Sequence, residues 1–200
     1  MSKRDVAALL LETGAVEVRT DPDKWFTWTS GKRAPIYCDN RVLVSFPGAR
    51  ARVADFLTDE IRSGFSDVEV IAGAATGGIP HAAWVAERLE LPMVYVRGAA
   101  KEHGKGRRVE GRQLAGERVV LIEDLVSFGG SALSAAGALE EEGGKVIGVQ
   151  AIFSYGFPES LQRFEAAGIP LQVLTDYDAL IETMGLDATT ARALLDWRAG

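Results

Sequence analysis

Two adjacent carboxylates, Glu123 and Asp124, follow the apolar run Val119-Val120-Leu121-Ile122, and the small residues Gly129, Gly130 and Ser131 come shortly after them. Carboxylates accept hydrogen bonds from sugar hydroxyls. Glycines and a serine ahead of an Ala-rich helical stretch offer backbone N–H groups to a phosphate. Together the segment suits a phosphorylated sugar. The plain alternative is an acidic strand end returning to water and ordinary helix-capping residues. A second loop, Gly73-Ala74-Ala75-Thr76-Gly77-Gly78, has the composition of a pyrophosphate cradle, although a close strand-to-helix turn needs the same glycines. A third segment is basic. Arg97, Lys101, Lys105, Arg107, Arg108 and Arg112 stand against Glu102 and Glu110, interleaved with Gly98, Gly104, Gly106 and Gly111. Positive charge on a flexible backbone describes a lid for a small anion, and a solvated loop is the ordinary alternative.

These segments need a scaffold, and the chain supplies an alternating one. The pattern predicts helices over residues 5–12, from about Pro47 through Ile61, and over 79–89, 132–142 and 159–167. It predicts strands over 68–72, 93–96, 119–122, 146–153 and 171–174, with two helices before Gly200. Alternation of this kind builds a mostly parallel sheet flanked by helices, with ligands at the carboxyl ends of its strands. Strands over 25–28 and 36–39, around a Ser30-Gly31 turn, form a small amino-terminal subdomain. The break from Arg97 to Gly116 reads as one long functional loop.

Composition limits the function classes. The 200 residues are 47% hydrophobic and 25% charged, as expected for one globular domain with its own core. A net charge of −6 argues against general nucleic-acid binding, which rests on clustered positive charge. No apolar stretch is long enough to span a bilayer, and residues 7–11 are too short for a secretory core. With one cysteine, Cys38, and two histidines, His81 and His103, neither an internal disulfide nor a structural zinc cluster is expected, and a reducing cytoplasm fits best. His81, on a helix, reads as packed or surface rather than catalytic. The acidic strand end also suits a P-loop nucleotidase, but no G-x-x-x-x-G-K-[ST] occurs.

The string IEDLVSFGGSAL, Ile122 to Leu133, resembles the PRPP motif of type I phosphoribosyltransferases, and other blocks narrow the likeness. FTWTSG from Phe26 and APIYCDNR from Ala34 are similar to the amino-terminal signature of the orotate phosphoribosyltransferase family. Tyr95-Val96-Arg97 with KEHGKG from Lys101 is similar to its catalytic loop. The resemblance implies a type I phosphoribosyltransferase fold over residues 1–200 with a hood at 1–45, and joining of orotate to PRPP with release of pyrophosphate. It implies PRPP contacts at Arg97, Lys101, His103 and Glu123, Asp124, Leu125, Val126, Ser127, Phe128, Gly129, Gly130 and Ser131. Orotate contacts are implied at Ser127, Phe26 and Tyr37, and catalytic roles for Lys101, His103 and Asp124. Mg²⁺ is expected mainly through PRPP and water, with no protein metal ligand. A cytoplasmic homodimer sharing the basic loop, without nucleic-acid or membrane partners, completes the expectation.

Five positions depart from the family pattern. Phe128 stands where threonine is common, Gly98 where many relatives have a second basic residue, and Thr29 where several carry lysine. Tyr155 and Gly156 stand where some relatives supply an arginine for the orotate carboxylate, leaving Arg33, Arg41 or backbone donors. A purine or other base phosphoribosyltransferase would keep the PRPP motif without the amino-terminal blocks. A PRPP-sensing nucleic-acid regulator on the same fold is the alternative outside enzymes.

Overall fold

Ser2 and Asp5 start the first helix with a reciprocal cap, the Ser2 hydroxyl accepting from the Asp5 N–H and the Asp5 carboxylate from the Ser2 N–H. The computed structural model describes residues 2–28, 31–98 and 107–199. Helix α1 (Lys3–Glu12) buries Val6, Leu9 and Leu10. Four short strands follow: β1 (Val16–Val18), β2 (Phe26–Thr27), β3 (Arg33–Ala34) and β4 (Ile36–Cys38). The sequence pattern placed strands 25–28 and 36–39 around one turn. Instead β2 pairs with β3, and β4 pairs antiparallel with β1, a strand the pattern missed. Pro35, which has no N–H to give a ladder, separates β3 from β4 and lets them serve different partners.

Helix α2 (Pro47–Gly64) opens on a proline, whose missing N–H costs nothing in the first turn. The alternation then proceeds through β5 (Val70–Ala74), α3 (Gly78–Leu89), β6 (Met93–Val96), β7 (Val109–Glu110), β8 (Arg118–Val126), α4 (Gly130–Glu141), β9 (Lys145–Ser154), α5 (Pro158–Ala167) and β10 (Leu171–Asp176). Helices α6 (Tyr177–Thr183) and α7 (Ala188–Ala199) end it. The main sheet has the order β10-β9-β8-β5-β6-β7 and is parallel except for β7 at one edge. Strand β7 was hidden in what reads as one long irregular break. It is two residues long and owes its form to pairing of Val109 and Glu110 with Val96 and Tyr95.

Both faces of the sheet are covered, and the side-chain period of two divides its core. Ile71, Val120 and Ile122 pack with α1, α2 and α3, in a cluster that includes Val16, Ile36 and Leu43 of the amino-terminal strands and turn. Val70, Ala72, Val119 and Leu121 face α4 and Phe164 of α5. From β5 the chain moves to β6 on one side, whereas β8 lies on the other. The β5/β8 boundary is therefore a topological switch point, where a crevice opens at the strands' carboxyl ends.

Candidate active site

Strand β8 runs through Val126, so Glu123 and Asp124 lie inside its last turns of pleat rather than beyond a strand ending at Ile122. Successive side chains leave opposite faces, and the two acids divide accordingly. Glu123 is 95% removed from solvent and points toward α4, where Ser134 and Ala135 share a small pocket of about 90 Å³ with it. Asp124 points toward the loop after β5. Both acids also border a larger cleft of about 520 Å³, whose wall includes Trp28, Tyr37, Asp39, Arg41, Thr76, Ser127, Phe128 and Tyr155.

The glycines of the β5 loop are explained by how closely that loop crosses β8. A Cβ on Gly77 would fall within the Asp124 carboxylate, and one on Gly78 would fall on the Ile122 carbonyl. The hood fixes the same strand from the other side. Buried Asn40 donates its Nδ2 to the Asp124 carbonyl at 2.6 Å, and the Cys38 thiol donates to Asn40 Oδ1 at 3.3 Å. Neither Asp39 nor Asn40 was singled out as functional from sequence. The signal was present: a buried-looking strand, Ile36–Cys38, ends on consecutive polar residues.

Two helices begin at the cleft. Gly77 precedes α3 and Gly129, at φ +79°, precedes α4; at neither does a side chain cap the helix. Their first N–H groups are thus available to anionic oxygens, and the helix dipoles favour negative charge at the same place. Ser127 and Ser131 border the cleft with Leu125, while Val126 is buried behind it, and Gly129 and Gly130 carry the turn between the serines. Phe128 presents its ring to the cleft and stacks on Phe157 at 4.8 Å between centroids and 8° between planes. Phe157 packs in turn on Tyr155, Trp28 and Trp197. The ring that replaces the family's threonine is therefore part of an aromatic wall. Tyr37 lies on that cleft's rim, while Phe26 sits beside Tyr37 at 5.6 Å, under the Arg19 guanidinium.

The ends of the basic segment are tied down beside the smaller pocket. Arg97 N–H donates to the Arg108 carbonyl at 2.9 Å, and the Arg97 guanidinium faces Glu110 at 3.7 Å. Arg108 donates from Nη1 to Ser134 Oγ at 3.0 Å, and Arg107 pairs with Glu142 at 2.5 Å. Arg97, Gly98 and Arg108 border the smaller pocket with Glu123 and Ser131. Lys101, His103 and Thr29 lie outside the described residues. His81 is fully buried against Trp84, and burial pushes its imidazole down to about 4, so it is neutral and packed.

Burial first, and the neighbouring Asp124 carboxylate second, push the Glu123 carboxyl up to about 9. Burial raises Asp124 as well. The folded chain therefore holds a proton on Glu123 that the unfolded chain would release. The folded state binds more protons than the unfolded state between the ordinary glutamate value of 4.5 and about 9, so this group's contribution to stability is full below that window and is lost as pH rises through it. Glu123→Gln should remove that loss. The variant's melting temperature should match the wild type at the acid end of the window and exceed it at the alkaline end, as thermal melts across pH will register. PRPP binding by the same variant should weaken.

Comparison with known proteins gives this arrangement a class. Residues 44–166 match the family model described as phosphoribosyl transferase domain. The chain is 54% identical over 181 residues to the orotate phosphoribosyltransferase of Bacillus caldolyticus, covering 90% of this chain and 86% of that one. It belongs to the orotate phosphoribosyltransferase family. The crystal structure of orotate phosphoribosyltransferase from Aeropyrum pernix is similar at 29% identity and a TM-score of 0.79, over 90% of this chain and 98% of that one. The Mycobacterium tuberculosis H37Rv enzyme in complex with PRPP shares the fold, at 24% identity and a TM-score of 0.67 over 89% and 98%. The purine-base and regulator alternatives are set aside by these relatives.

Proposed function

We propose that the chain transfers the phosphoribosyl group of PRPP to orotate, giving orotidine 5′-monophosphate and pyrophosphate in pyrimidine synthesis. The observation that carries this reading is the meeting of two uncapped helix N-termini with buried Glu123 and half-buried Asp124 at one switch point. In this reading the amides of Ser127 to Ser131 hold the 5′-phosphate. Glu123 and Asp124 orient ribose hydroxyls, and the Ala75–Gly77 amides with Arg97 face the pyrophosphate. The base lies against Tyr37 and the aromatic wall that includes Phe128. Phe26 supports Tyr37 rather than meeting the base.

Transfer at the anomeric carbon builds negative charge on the leaving pyrophosphate while the sugar becomes oxocarbenium-like, so preorganised cations dominate the acceleration. Lys101 stabilises the departing oxygens, and His103 acts as proton donor or phosphate ligand. Among the described residues no group of three or more His, Cys, Asp or Glu is placed to hold a metal. Mg²⁺ would be held mainly by PRPP and water, and the cleft carboxyls Glu123 and Asp124 would orient ribose hydroxyls directly or through that shell. Bound in that way, Mg²⁺ supplies charge neutralisation at pyrophosphate. The protein works as a cytoplasmic homodimer in which the basic loop serves the neighbouring site; none of the described helices is long and apolar enough to cross a membrane.

The test is direct. Incubation with PRPP, Mg²⁺ and a panel of bases should release pyrophosphate with orotate and not with purines. No turnover with orotate would sink this reading.

A further inference from the structure

We propose that Arg41 receives the carboxylate of the acceptor base and so makes the enzyme select orotate over a pyrimidine without that group. The inference rests on the proposed reaction and adds the residue that discriminates. Orotate is an anion, and the cleft it must enter is lined by three acidic side chains, Asp39, Glu123 and Asp124. Among the described residues of that lining, Arg41 is the one basic side chain. It stands on the turn after β4, four residues beyond the rim residue Tyr37, and lines the same cleft as Ser127 and Phe128.

Its geometry is already arranged for an anion. Asp39 grips the guanidinium through two bonds, Nε to Oδ1 at 2.6 Å and Nη2 to Oδ2 at 2.8 Å, while also accepting the Arg41 N–H at 3.2 Å. This fork orients the guanidinium plane before any ligand arrives, so little rotamer freedom remains to be lost on binding. An arginine has five N–H donors, and its Nη1 makes no hydrogen bond among the described residues. A planar carboxylate can take up those donors. The Arg41 side chain is 62% exposed, which keeps it reachable.

Other nearby cations are committed elsewhere. Arg33 donates to the Pro22 carbonyl, outside the cleft lining. Arg198, whose Nη1 lies 3.3 Å from where a Gly156 Cβ would be, pairs with Asp178 at 2.8 Å. Lys32 lies over the rings of Phe157 and Trp197 at 4.8 and 5.1 Å, on the aromatic residues behind Phe128. With Gly156 offering no side chain, Arg41 is the group that meets an acceptor carboxylate from inside the cleft.

The product nucleotides isolate the interaction, since orotidine 5′-monophosphate carries the carboxylate and uridine 5′-monophosphate lacks it. Calorimetric titration of both onto the full chain should show a wild-type preference for orotidine 5′-monophosphate that falls about tenfold or more in Arg41→Gln, the scale of a charge-assisted hydrogen-bond pair. Uridine 5′-monophosphate and PRPP affinities should be unchanged, which also certifies the variant's fold. Arg41→Lys should recover part of the preference, because it restores charge without the planar fork. An unchanged preference in Arg41→Gln, equal weakening of both nucleotides, or loss of preference in Lys32→Ala instead would overturn the assignment. Those outcomes leave orotate turnover in the wild type intact, whereas a wild type inactive on orotate overturns the reaction and this assignment together.

Discussion

Gly77→Ala should give a folded protein that has lost PRPP binding by about 100-fold or more, the scale of one to two charge-assisted hydrogen bonds. The reason is a single collision. The new methyl group would occupy the space of the Asp124 carboxylate, and that side chain can rotate away without disturbing the sheet. The displaced acid then no longer faces the ribose position. Gly78→Ala differs, because its methyl meets the Ile122 carbonyl, which belongs to the backbone of the central strand β8 and cannot step aside. Its cost falls on the fold, about 1–3 kcal/mol or more for an overpacked contact. The melting temperature should then drop by roughly 2–4 °C for each kcal/mol in a domain of this size. Gly137→Ala supplies the contrast, since a Cβ there meets nothing within 4 Å, and in mid-helix it should gain up to about 1 kcal/mol. Melts and PRPP titrations on the three variants separate the two kinds of glycine. Normal PRPP affinity in Gly77→Ala would show that Asp124 has no part in binding.

That contrast also bears on what the sequence made legible. The parallel strands of the main sheet were readable from short apolar stretches bounded by polar or turn residues, most plainly Val119 to Ile122, which is buried on both faces. Their ends were not. Glu123 and Asp124 are polar, so the pattern stopped at Ile122, yet pairing of Glu123 with Ala151 and Val126 with Ser154 carries the ladder on. Strands β1 and β7 have three and two residues and exist through partners distant in the chain, a tertiary effect that local pattern cannot display. The loop glycines were visible, but the sequence offered phosphate binding or a tight turn as their cause. Close crossing onto β8 accounts for Gly77 and Gly78, and the same crossing brings the α3 N-terminus to the cleft. Arg41 appeared only as one of several candidates. Its selection required knowing that Arg33 turns outward to Pro22.

Lys101→Ala should lower kcat by about 10²–10³ while the dissociation constant for PRPP changes little, because the interaction it removes strengthens only as charge builds on the departing pyrophosphate. On the proposed reaction, the charges of the described residues leave a place for a cation from this segment. The larger cleft holds three carboxyl groups, of which Glu123 keeps its proton, and one guanidinium that Asp39 already partly neutralises. In the smaller pocket Arg97 faces Glu110, and Arg108 is spent on Ser134. The field around a leaving pyrophosphate is thus short of positive charge until the segment between Arg97 and Arg108 contributes. Arg97 and Arg108 are hydrogen-bonded to one another at the pocket edge, so both ends of that segment start beside the site. Four residues of chain allow Lys101 a reach of about 14 Å from Arg97, with its own side chain beyond that. Lys101→Arg keeps the charge and should retain a substantial part of the rate. Single-turnover kinetics with PRPP titrations decide the case: equal losses in turnover and in PRPP affinity would assign Lys101 to ground-state binding, since only a group favouring the transition state lowers the rate without lowering affinity.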